Sequence, residues 1–221
     1  MTVLTNDGPV AVPAWVVDHS SFLMWIRSGD VPEGPRIEYI HDEVVVDFMS
    51  ERAFAHNRVK SEVGRVISQV AQDENLGTYF GDGMLWTTDQ KFSTIPDGIF
   101  VRTESGTSGR VALVGSDRAD HETELVGSPD LVVEVVSDHS VDDDTEWFMA
   151  KYFDAGVEEY WLIDARRQPL RFAVYRRRDG GFAPVRKVGG WVKSPVLGHS
   201  FRFVEIQDLT FNRVDHRLES R

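Results

Sequence analysis

The chain has 221 residues and no cysteine, is 41% hydrophobic and 27% charged, and carries a formal net charge of −12. This composition excludes disulfides, thiolate metal sites and a cysteine nucleophile, argues against intrinsic disorder, and speaks against a protein that coats nucleic acid by net charge alone. Neither a charged-then-apolar leader nor an apolar run of about 18 residues is present, so the sequence predicts a cytoplasmic protein without a membrane span.

The length suits one domain with a single core, taken as residues 15–221 after a loose tail over 1–14. Ser20-Ser21 opens a short helix, FLMWIR, that stops at Gly29. The runs RIEYI and VVVDFM, joined by His41-Asp42-Glu43, read as a β-hairpin. Val59, Val63, Val66, Ile67 and Val70 then recur at helical spacing, with Asn75 and Gly77 marking the end. TYFG, MLWTT and GIFV are strand candidates, and the Gly-, Ser- and acid-rich stretch from Thr103 to Ser128 reads as one long loop. After it come the strand LVVEVV, a helix from about Asp143 to Ala155 closed by Gly156, the strand EEYWLID, the turn ARRQ and the strand LRFAVYRR. GFAPVRK, Trp191 to Leu197 and FRFVEI finish the chain as short strand segments. The strand–helix–strand order over 131–165 favours parallel pairing there, and the fold class is mixed α/β.

Charge is unevenly spread. Nine Lys or Arg between Arg166 and Lys193 stand against one acid, and eleven Asp or Glu between Asp117 and Glu146 stand against one base. Solvated strand and loop faces explain such runs, and so does a bipolar surface with an anion-binding side and a cation-binding side.

Glu134 stands out because it interrupts a valine strand. Strand parity puts Val132, Glu134 and Val136 on one face and Leu131, Val133 and Val135 on the other, so both faces are apolar. An isolated carboxylate there costs several kcal/mol and must be protonated, paired, or bound to a cation. A second acid on a neighbouring strand favours the cation, and Asp97, just ahead of GIFV, is the candidate; its ordinary reading is a Pro-Asp-Gly turn.

The segments IPDGIFV, SPDLVVEVVS, a helix ending YFDAG, and VEEYWLID, with IEYIHDEVVV upstream, together resemble the Uma-type restriction endonucleases. This is a widespread bacterial family within the PD-(D/E)XK nuclease superfamily, and the likeness runs over roughly residues 20–205. The resemblance implies a restriction-endonuclease-like mixed sheet flanked by helices that cuts DNA with Mg²⁺ or Mn²⁺. By position it makes Asp97 and Glu134 the metal ligands, Glu38 an upstream glutamate assisting metal or water, and His56 the histidine that opens the family's long helix. Hard oxygen ligands of this kind hold Mg²⁺, which polarises a phosphodiester and lowers the pKa of an attacking water. A homodimer is expected because a duplex offers two strands to cut.

The pattern departs from the family at its lysine. Two residues past the second acid stands Val136, and the alternative helix position is Phe148. Lys151 lies three residues beyond Phe148, about 4.5 Å along the helix axis and close in azimuth, and is the expected catalytic cation. Lys91 is a weaker substitute. His56 also reads as a core histidine, Asp130 as a turn residue where the strand begins, and Asp144 as a helix cap. A catalytically impaired nucleic-acid-binding or assembly protein on the same fold is therefore the alternative, and an acid/base hydrolase of a non-nucleic substrate a third.

Overall fold

The structure is a computed structural model describing residues 2–5, 8–31, 35–47, 53–89, 91–115, 122–136, 142–166 and 168–221. Its elements begin with β1 (Thr2–Thr5), β2 (Gly8–Ala11), α1 (His19–Ser28), β3 (Arg36–Ile40) and β4 (Glu43–Asp47). A π-helical turn (Ala53–Asn57) leads into α2 (Arg58–Asp73), followed by β5 (Gly77–Gly81), β6 (Leu85–Thr88), β7 (Phe92–Thr94) and β8 (Gly98–Arg102). Next come α3 (Thr103–Thr107), β9 (Val111–Gly115), β10 (Glu122–Gly127), β11 (Leu131–Val135), α4 (Asp142–Asp154) and β12 (Glu159–Asp164). The chain ends with β13 (Arg171–Arg178), β14 (Gly181–Pro184), β15 (Val192–Lys193), β16 (Ser200–Asp208) and β17 (Arg213–Ser220). Among the described residues no helix is long and apolar enough to cross a membrane.

These elements fall into two units, one made of Met1–Ser50, Gly83–Pro96 and Val111–Gly127, the other of Glu51–Asp82, Asp97–Arg110 and Ser128–Arg221. Reading the sequence in order does not reveal such a division, because each unit takes segments far apart in the chain.

In the first unit, β1 and β2 pair antiparallel within the stretch that lacks an apolar period. Helix α1 starts at Asp18, whose carboxylate accepts from the Ser21 backbone N–H, and ends at Gly29 with φ 72°, a left-handed conformation that glycine adopts without a Cβ clash. Its Phe22 and Trp25 are buried with Ile37, Tyr39 and Leu85. The sheet runs β4-β3-β7-β6-β10-β9. The expected hairpin is present as β3–β4, turning on His41 and Asp42, both at positive φ (53° and 60°) as a tight two-residue turn requires; Phe48 and Met49 of the expected second strand lie outside the described residues. The stretch 103–128 is not one loop. It holds α3 and the antiparallel pair β9–β10, with 116–121 outside the described residues. Strand β10 escapes notice because it carries Glu124 in a fully buried position, where Arg27 Nε donates to Oε2 at 2.8 Å.

The second unit is built on a sheet of order β14-β13-β12-β11-β8-β5, in which β11 and β12 run parallel as expected and the other neighbours antiparallel. Parity decides the packing. Leu131, Val133 and Val135 of β11, with Trp161 and Ile163 of β12, meet the Val59, Val63, Val66, Ile67 and Val70 stripe of α2, each valine worth roughly 1.5 kcal/mol or more on burial. Val132 and Tyr160 are buried on the opposite parity, in register with each other. Part of the Arg-rich run is structural: Arg177 lies over the Phe153 ring, its guanidinium 3.9 Å from the centroid, and donates to the Phe153 and Val157 carbonyls at the end of α4. Arg166 is paired with Asp164 at 2.9 Å, while Arg171, Arg176, Arg178, Arg186, Lys187 and Lys193 are exposed. A three-stranded sheet, β15-β16-β17, completes the unit; β17 has only Val214 and Leu218 as apolar residues and so gives a weak strand signal in the sequence.

Candidate active site

The antiparallel register of β8 and β11 pairs Leu131 with Phe100, Val132 with Ile99 and Val133 with Gly98. Continued by one residue, it sets Asp97 across from Glu134. At that point a side chain replaces the backbone ladder: Asp97 Oδ2 accepts from the Val135 N–H at 2.7 Å. Asp97 is 4% exposed, a burial that a Pro-Asp-Gly turn on the surface does not have.

Two groups from the start of the long helix reach Asp97. His56 Nε2 lies 3.6 Å from Oδ2 and Lys60 Nζ lies 3.5 Å from Oδ1. Lys60 Nζ also bonds Asp82 Oδ2 at 2.7 Å. His56 and Lys60 are one helical turn apart and so share a face. Glu134 is approached from α4, where the Tyr152 hydroxyl donates to its Oε1. Its place in a valine strand is met by a hydrogen-bonding phenol and by a position that is half-buried rather than sealed.

Tyr79 bounds the site. An added Cβ at Gly98 would lie 1.9 Å from the Tyr79 hydroxyl, and one at Gly64 would lie 3.2 Å from its ring, so two glycines admit this side chain. Burial, and then the negative charges of Asp97, Asp82 and Glu134, hold the Tyr79 phenol well above its ordinary pKa. Tyr160 is likewise held protonated by burial, then by Glu134, Tyr175 and Asp97. Both rings feel both carboxylates, which therefore share one neighbourhood.

The other expected residues lie as follows. Glu38 belongs to the first unit and is 6% exposed, with Oε1 accepting from Thr94 Oγ1 at 2.5 Å and from the Ile95 N–H at 2.8 Å, and Oε2 3.3 Å from Arg36 Nε. Lys151 Nζ lies 5.4 Å from the Trp147 ring centroid. Lys91 sits in the turn between β6 and β7 at φ 56°, in the first unit. Asp130 is fully buried among Arg102, Ser105 and Arg110 and serves as a structural hub. Asp144 falls on the first turn of α4, and its side chain is outside the described residues. Sequence reasoning missed Lys60, Asp82, Tyr79 and Tyr152. The available signal was the four-residue step from His56 to Lys60 on a helix already recognised.

Two carboxylates suit a hard divalent cation of the kind completed by water and substrate phosphate, since Mg²⁺ is often bound through only one or two protein carboxylates. Among the described residues there is no cluster of three His, Asp or Glu able to hold a metal alone. The donor set fits Mg²⁺ or Mn²⁺ in that substrate-completed sense, and not a closed all-protein cage.

No curated protein matches the chain significantly. Among solved structures it is similar to "a putative nuclease belonging to DUF820 from Anabaena variabilis ATCC 29413", at a TM-score of 0.61 and 20% identity, over 82% of this chain and 91% of that one. At that identity the likeness establishes the fold, a mixed α/β nuclease-like architecture of sheets flanked by a few helices. The profile of the family named Uma2 matches residues 20–204, a span containing Asp97, Glu134, His56, Lys60 and both strands that set the acids opposite each other. The chain belongs to that family, described as "Putative restriction endonuclease".

Proposed function

We propose that this chain is a divalent-metal-dependent endodeoxyribonuclease. The observation that carries the reading is the register that sets Asp97 across from Glu134 on adjacent strands, in a chain of a restriction-endonuclease family. Asp97 and Glu134 are the metal ligands. A bound Mg²⁺ or Mn²⁺ would supply Lewis-acid polarisation of the phosphodiester and a more acidic water. Asp97 keeps its orientation through the Val135 N–H, and Glu134 through the Tyr152 hydroxyl, so both carboxylates are fixed before substrate arrives. His56 borders Asp97, Glu38 steadies the segment leading to it through Thr94 and Ile95, and Lys151 stands on α4 as a further cation.

DNA is the substrate, and a two-fold homodimer is the arrangement that matches its two strands. With a net charge of −12 the chain binds phosphates through local basic surface, for which the exposed arginines of β13 are suited. Residues 15–221 act as one nuclease domain in a cytoplasmic protein, in keeping with a chain free of cysteine.

Calorimetry with Mn²⁺ tests the site. The wild type binds the ion, Glu134→Ala and Asp97→Asn lose at least tenfold in affinity, and supercoiled plasmid is nicked only by the wild type. Binding unchanged in Glu134→Ala rejects the metal site. Binding without nicking favours the non-catalytic reading, which rests on Val136 and Phe148 standing where lysines were expected.

A further inference from the structure

We infer that Lys60, held by Asp82, is the catalytic cation of this site and contacts the scissile phosphate. The inference rests on the nuclease reading above and goes beyond it in assigning a role to a helix residue that neither motif strand predicts.

Lysine is among the residues least often buried, yet the Lys60 side chain is 9% exposed and ends between two carboxylates, 3.5 Å from Asp97 Oδ1 and 2.7 Å from Asp82 Oδ2. Its other surroundings are those of the site. His56, one turn earlier, approaches the second oxygen of the same Asp97, and Gly64, one turn later, makes room for Tyr79, whose hydroxyl overlies Gly98. The π-helical turn and the first turns of α2 thus deliver an imidazole, an ammonium and a gap at four-residue steps.

The two acids divide the work. Asp82 is half exposed, with 50% of its side-chain surface accessible, and lies in the turn after β5. It anchors the ammonium from the solvent side while Asp97, buried, fixes it from within. An ammonium beside a metal-ligating carboxylate stands next to wherever that metal brings a phosphate. Its charge is compact and its position is set by Asp82 at 2.7 Å and Asp97 at 3.5 Å, which keeps it beside the metal-ligating carboxylate where the phosphate arrives. The phosphodiester gains negative charge as water attacks, and a fixed cation in a dehydrated site stabilises that charge more than it stabilises the ground state.

The step balances without Lys60 losing its proton. The water oxygen forms a new bond to phosphorus as the bond to one ester oxygen breaks. The water's proton passes to solvent, and the departing oxygen takes one back. Lys60 supplies charge and an N–H, a task that an arginine can perform in part.

The test compares wild type, Lys60→Met and Lys60→Arg for nicking of supercoiled plasmid with Mn²⁺ and for Mn²⁺ affinity by calorimetry. Lys60→Met nicks 10²–10³-fold more slowly, the loss typical of removing one transition-state donor, while binding Mn²⁺ no more weakly than wild type. Lys60→Arg recovers to within about thirtyfold of wild type, as a preserved charge with altered geometry requires. Nicking by Lys60→Met within threefold of wild type overturns the assignment and leaves the nuclease reading standing. Loss of Mn²⁺ affinity in both variants makes Lys60 a structural group and overturns it as well. A wild type that neither binds Mn²⁺ nor nicks brings down the nuclease reading itself, and the role of Lys60 with it.

Discussion

Asp130→Ala lowers the melting temperature by roughly 6–12 °C, the equivalent of about 3 kcal/mol in a chain of this size. Asp130 is completely buried, and its carboxylate accepts from the Arg102 backbone N–H at 2.8 Å, from Ser105 Oγ at 3.1 Å, and from the Arg102 and Arg110 guanidiniums. Its own N–H donates to Phe100 O and its carbonyl accepts from Glu159 N, so one residue ties β8, α3 and β12 together. Alanine leaves the Arg102 N–H and the Ser105 hydroxyl without their acceptor inside the protein. It also leaves two guanidiniums facing each other. These are about a third exposed, at 32% and 34%, and both lie near Glu158, so they regain some water and a second partner. That relief keeps the cost at the lower end of the range for breaking a buried ion pair. Thermal denaturation followed by circular dichroism measures it, and a shift under about 2 °C would mean that the cluster contributes little.

The second large effect depends on pH. Glu159 is fully buried, with Oε1 accepting from Trp161 Nε1 at 2.5 Å and Oε2 from the Val196 N–H at 2.9 Å. Burial outweighs these donors and pushes its carboxyl up to about 7 from an ordinary 4.5. The folded state therefore holds this proton more tightly than the unfolded chain. Its stabilising share is complete below pH 4.5, declines as pH rises, and is gone once pH passes about 7, a change of about 3 kcal/mol by proton linkage. Glutamine at 159 has no proton to titrate, and although its amide N–H group must face one of the two N–H donors, that cost is the same at every pH. The difference in unfolding free energy between Glu159→Gln and wild type shifts by about that amount in the variant's favour between pH 4.5 and 7, read from urea titrations at several pH values. A difference that does not vary with pH rejects the raised pKa.

Much of this architecture was legible from periodicity. The α2 stripe, the β3–β4 hairpin, the β11–α4–β12 unit and its parallel pairing all follow from apolar spacing and turn residues. The pairing of Asp97 with Glu134 was also within reach, because an acid in a valine strand demands a partner. Two things were hidden. Strand β10 carries Glu124 into the interior, and its compensating Arg27 lies 97 residues away, so no local pattern reveals it. Lys60 looked like one more polar position on an amphipathic helix, since periodicity registers apolar residues and is blind to an ammonium drawn inward by distant carboxylates. Glu38, read from the sequence as an upstream glutamate assisting metal or water, has oxygens engaged by Thr94, Ile95 and Arg36 within the first unit.

The interleaving of the two units bears on how fast each part can form. Strands β12, β13 and β14 follow one another across short turns, whereas β11 reaches β12 across α4, and β8 reaches β5 and β11 across the insertions Gly83–Pro96 and Val111–Gly127. Closing those longer connections costs chain entropy before any contact rewards it, so β8 joins after the β12–β13–β14 meander. Asp97 arrives with it. If the acid pair holds Mn²⁺ as proposed, the capacity to capture it lags the recovery of strand signal in stopped-flow refolding, and simultaneous recovery would place β8 in the earliest structure instead. Asp97 and the strand that carries it thus take their place beside Glu134 only after the meander has formed.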